Sequence, residues 1–70
     1  MSNYSKISQT KGVMLGITNK TLPLSIDRLT LNIASSDFEK AKKEFKVLKE
    51  HIAEIEKLLG DCDRLTKEQG

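Results

Sequence analysis

Tryptophan is absent, and aromatic residues make up only 4% of the 70-residue chain. So few large apolar side chains limit what a single core can bury. A single cysteine, Cys62, excludes an internal disulfide, and one histidine beside it gives no Cys/His spacing suited to a metal. The longest uninterrupted apolar run, Val13 to Leu15, is far short of a membrane span or of the apolar stretch of a signal peptide. Among the four glycines there is neither a GxGxxG nor a GxxxxGK[ST] arrangement, so no phosphate-cradling loop is encoded. Twelve Lys/Arg face ten Asp/Glu, a net charge of +2 that makes no polybasic arm. An unpaired cysteine suits a reducing compartment, and the expected location is cytoplasmic.

At this size a lone core is marginal, and disulfides and metals, two common reinforcements, are missing. Oligomerisation remains, and the sequence is read with that expectation. The charge is unevenly placed: residues 1–35 carry +3, residues 36–60 zero and residues 61–70 −1.

Three stretches follow one another. Residues 1–11, rich in Ser, Asn, Gln and Thr, offer little to bury beyond Tyr4 and Ile7 and read as a flexible arm. Over residues 12–34 the apolar positions alternate, with Val13, Leu15 and Ile17 on odd numbers, Leu22, Leu24 and Ile26 on even ones, then Leu29, Leu31 and Ile33 on odd ones again. Period two predicts strand. On that reading "TNKT" (18–21) is a tight turn, Pro23 points its missing N–H off an edge, and a β-bulge at Asp27–Arg28 restores the apolar face. A rival reading makes "SIDRLTLNIA" a helix through Ile26, Leu29 and Ile33, with Ser25 as N-cap, at the expense of stranding Leu31. The alternation favours the ribbon.

Residues 36–60 form the clearest element. "SDFE" fits a capping box, with Ser36 as N-cap and Glu39 reaching back to it, and Gly60 is a natural stop. Phe38, Ala41, Phe45, Leu48, Ile52, Ile55 and Leu59 recur at spacings of 3, 4, 3, 4, 3 and 4. That is a heptad stripe with Phe38, Phe45, Ile52 and Leu59 at a, and Ala41, Leu48 and Ile55 at d. A helix lying on its own sheet uses a similar stripe, but this helix outreaches a short ribbon and needs a further surface. Phe38, Phe45, Leu48, Ile52, Ile55 and Leu59 are therefore expected at an oligomer interface. The flanking charges permit both orientations: Asp37–Lys42, Glu44–Lys49 and His51–Glu56 in a parallel pair, Lys49–Glu56 and Lys42–Asp63 in an antiparallel one. Residues 61–70 read as a loose tail. The expected fold class is α+β, a bent antiparallel β-ribbon of two or three short strands followed by one long amphipathic helix, in a single domain over 12–60.

No group stands in a catalytic setting. His51 flanks the heptad seam as an interface histidine, and Cys62, set between Asp61 and Asp63, reads as an inert thiol. The chain is expected to be no enzyme, to need no cofactor and to bind no metal. The expected function is non-catalytic binding by a small homo-oligomer, directed at a protein partner or a small anionic ligand such as a nucleotide. By size and composition it is analogous to accessory or inhibitory proteins of phages and mobile elements. Lys11, Lys20, Arg28 and Asn32, on the outward ribbon face, are the expected ligand or partner contacts, with Arg28 able to donate a bidentate pair. The alternative is a dimeric ribbon-helix protein that binds nucleic acid, disfavoured because a charge of +2 supports few phosphate contacts. No membrane partner is expected.

Overall fold

Two long helical arms run antiparallel and pack along their length in the computed structural model, which describes residues 2–69. The first arm comprises α1 (Ser2–Gly16), a π-helical turn (Ile17–Thr21) and α2 (Leu22–Ala34); the second is α3 (Phe38–Gln69). Among the described residues there is no strand. The fold is all-α, and the α+β class, the bent ribbon over 12–34 and its β-hairpin are corrected accordingly. "TNKT" lies in the π turn and Asp27–Arg28 within α2, so neither is a hairpin turn or a bulge.

The physical reason lies in which residues the arms bury. Along the first arm Asn3, Ile7, Thr10, Met14, Ile17, Thr21, Ser25, Leu29 and Asn32 turn toward α3, at spacings of 4, 3, 4, 3, 4, 4, 4 and 3. Along α3 Ala41, Glu44, Leu48, His51, Ile55, Leu58, Cys62 and Leu65 turn back, alternating 3 and 4 throughout. Several of these seam residues are polar, so the pattern is faint in a hydrophobicity trace. The alternating residues that suggested a strand mostly stay at the surface: Val13, Leu15, Leu24, Ile26, Leu31 and Ile33 are all exposed.

Three consecutive spacings of four mark where the first arm takes one extra residue, and the π turn supplies it. Leu22 donates its backbone N–H to the Ile17 carbonyl, five residues back. Pro23 follows at the start of α2, where its missing N–H is best tolerated and a wide turn keeps its ring clear of the preceding backbone. The extra residue thus sits at Ile17–Thr21, not at the Asp27–Arg28 bulge read from the alternation, and it belongs to a helix. Three helical threonines bond backward: Thr10, Thr30 and Thr66 donate to the carbonyls of Lys6, Ile26 and Cys62 at 2.8, 2.9 and 2.8 Å.

The hairpin turn is a Schellman motif. Ser36 adopts φ 59°, its N–H bonds the Ile33 carbonyl at 3.0 Å, and the Asp37 N–H bonds the Asn32 carbonyl at 2.8 Å. Asp37, not Ser36, then caps α3: its Oδ1 accepts from the Lys40 N–H at 3.3 Å. The expected capping box does not form, because Ser36 is committed to the left-handed turn; Asp37 makes a simple N-cap bond in its place. Gly60 does not stop the helix, which runs through it to Gln69. Residues 2–11, expected as an arm, lie in α1, and residues 61–69, expected as a tail, lie in α3; Met1 and Gly70 lie outside the described residues. Surface pairs Arg64–Glu68 at 3.2 Å and Lys67–Asp63 at 3.1 Å, each one turn apart, lace the end of α3.

Candidate association surface

A two-helix layer has a seam but no enclosed interior. Ala41 and Leu65 are its buried apolar residues, and Ser25, 3% exposed, is its most buried polar one. The Cα framework measures 51 by 16 by 11 Å, one helix layer thick.

The heptad stripe of α3 is divided by this packing. Leu48 and Ile55, at d, are half-buried in the seam, and so are Glu44, His51 and Leu58, at g. The a residues are left out: Phe38 is 60% exposed, Phe45 51%, Ile52 52% and Leu59 55%. The seam uses d and g, so the a row stands beside it on one broad face. The first arm adds to this face. Leu29 and Ile33 line a groove with Phe38, Ala41, Lys42 and Phe45, and Lys11, Met14, Leu15 and Thr18 line another with Ile55 and Leu59. The result is an apolar strip along the hairpin, longer than the scattered exposed residues of an ordinary surface.

Of the six interface residues read from the sequence, Phe38, Phe45, Ile52 and Leu59 lie exposed on this strip, Ile55 reaches one of its grooves from the seam, and Leu48 is half-buried in the seam. Sequence reasoning missed the first arm's share, Leu15, Leu29 and Ile33, because a period of two was read where a period near 3.6 operates. The rival helix over "SIDRLTLNIA" contained the signal, including an exposed Leu31, now 68% accessible. Ser25 is no N-cap; its hydroxyl donates a 2.6 Å hydrogen bond to the Glu44 carboxylate across the seam.

The ligand residues read from the sequence are not gathered. Lys11, Lys20 and Arg28 are exposed along the first arm, and the seventeen residue steps from first to last span roughly 25 Å of helix. Asn32 is half-buried at the end of α2, where its carbonyl closes the turn. Cys62 is a free, half-buried thiol. Among the described residues no group of three His, Cys, Asp or Glu is placed to hold a metal ion, and no helix is long and apolar enough to cross a membrane. No protein-family model, curated protein or solved structure matches the chain.

Proposed function

We propose that the protein is a non-catalytic, cytoplasmic binding module that works as a homo-oligomer, its hairpins associating through the apolar strip. The observation that carries this reading is the row Phe38, Phe45, Ile52 and Leu59, each about half exposed on one face of a layer one helix thick. An amphipathic helix must bury its apolar stripe against another element, and here α3 has a stripe wider than its single partner covers. Two stacked hairpins make a four-helix bundle, in which the a row becomes core.

Binding of a protein partner by the assembled bundle has more support than capture of a small anion, because the cations of the first arm are spread along its length. The test is mass in solution. Sedimentation of the full chain at micromolar concentration should give a multiple of 7.9 kDa, and Ile52→Asp should give a monomer. Ile52 is at the hairpin's surface, so the aspartate stays solvated and circular dichroism should remain helical. A wild-type chain that sediments as a monomer at that concentration overturns the reading.

A further inference from the structure

We infer that the occupant of the apolar strip is a second copy of this chain, stacked α3 on α3 in antiparallel orientation about a two-fold axis at Ile52. The inference rests on the association reading above and adds the partner's identity, orientation and register.

The charges bordering the strip carry it. Lys42, Lys49, Glu56 and Asp63 recur every seven residues beside the a row, on the side away from the seam. Lys42 lines the groove with Phe45, and Lys49 Nζ lies 5.7 Å from the centre of the Phe45 ring, which fixes this row at the edge of the apolar strip. Two cations therefore occupy the N-terminal half of the edge and two anions the C-terminal half. Such an edge is complementary to itself only when reversed. A two-fold axis at Ile52 sets Ile52 on its own copy, Phe45 near Leu59 of the other, Lys49 beside its Glu56 and Lys42 beside its Asp63. Among the described residues Lys42, Lys49 and Glu56 make no ion pair within the hairpin, whereas Asp63 is shared with Lys67 at 3.1 Å. Lys49–Glu56 is thus the discriminating pair.

The structure also removes the competing arrangements. A parallel α3 pair would need Glu44 and His51 to meet Lys49 and Glu56 of the other copy, but both are turned into the hairpin seam, and Glu44 is held by Ser25 at 2.6 Å. The first arm carries a single acid, Asp27, so stacking α3 on the first arm of the other copy would leave at least one of Lys42 and Lys49 without an acidic partner. The broad face, about 51 by 16 Å, is comparable with the roughly 800 Å² that each partner buries in a standard stable interface.

Cross-linking and charge reversal test the geometry on the full chain, with Cys62→Ser as background. Ile52→Cys should form an intermolecular disulfide on mild oxidation, because the residue meets itself at the axis. Phe38→Cys should not, since the two copies stand roughly 42 Å apart at that level. In the wild-type cysteine background Lys49→Glu should weaken the dimer about tenfold, the pair occurring twice, and adding Glu56→Lys should restore it. Efficient self-cross-linking at residue 38, or a dimer indifferent to Lys49→Glu, overturns the antiparallel arrangement while leaving self-association standing. A stoichiometry other than two also overturns it, and a monomeric wild type overturns both readings.

Discussion

Ser25 and Glu44 are joined across the seam by a 2.6 Å hydrogen bond from hydroxyl to carboxylate, at the most buried polar residue of the hairpin. A serine there satisfies the half-buried acid and fixes the register of α2 against α3. Ser25→Ala should destabilise the hairpin by about 1–2 kcal/mol, as expected for a hydrogen bond to a charged group. In a double-mutant cycle with Glu44→Ala the two losses should fall well short of additive. Additive losses in denaturant unfolding would show that the bond contributes nothing.

Ser36 sits at φ 59°, a conformation that costs an L-residue about 1–2 kcal/mol and glycine almost nothing. Ser36→Gly should raise stability by about 0.5–1 kcal/mol after the extra freedom of glycine in the unfolded chain is counted. Ser36→Val should lower it. A melting temperature that falls with glycine would contradict the turn described here.

The cap of α3 is Asp37. Asp37→Ala should cost about 1 kcal/mol, whereas Glu39→Ala should be nearly silent, because Lys40 and not Glu39 engages the capping residue. The opposite ranking in thermal melts would return the cap to Ser36 and the helix start to the register expected from "SDFE".

Gly60 lies in the interior of α3, and a Cβ placed on it meets nothing within 4 Å. Gly60→Ala should therefore stabilise the helix by about 0.5–1 kcal/mol, through chain entropy alone. If the helix instead ended at Gly60, alanine would bring no gain, and calorimetry separates the two.

Ile55 and Ile52 share one helix and one chemistry but have opposite duties. Ile55 is half-buried against the first arm and Ile52 is 52% exposed. Ile55→Asp should unfold the hairpin, at a cost of about 2–3 kcal/mol, whereas Ile52→Asp should remove association and keep the helices. Equal loss of helix in both, read by circular dichroism, would show that the a row is needed for the hairpin to fold.

The sequence by itself determined the long helix and its heptad, because Phe38 to Leu59 repeat at 3 and 4 without a break and the helix-forming residues around them agree. The hairpin turn read at "TNKT" was not there to find: the first arm stays helical through residues 18–23, with a π turn over Ile17–Thr21. The sequence could not tell which period governs residues 12–34. Val13, Leu15 and Ile17 alternate like a strand, while the residues that turn inward include Thr10, Thr21 and Ser25, invisible to an apolar count. That choice belongs to tertiary structure: α3 offers one helical groove along its whole length, and a helix laid into it satisfies its own backbone where a two-stranded ribbon would leave edges open. The division of the heptad was likewise decided by packing. Only the presence of the first arm turns Glu44 and His51 inward and leaves Phe45 and Ile52 facing out. A stripe of spacing alone cannot say which of its two edges will be covered, since that depends on the side from which the partner helix arrives.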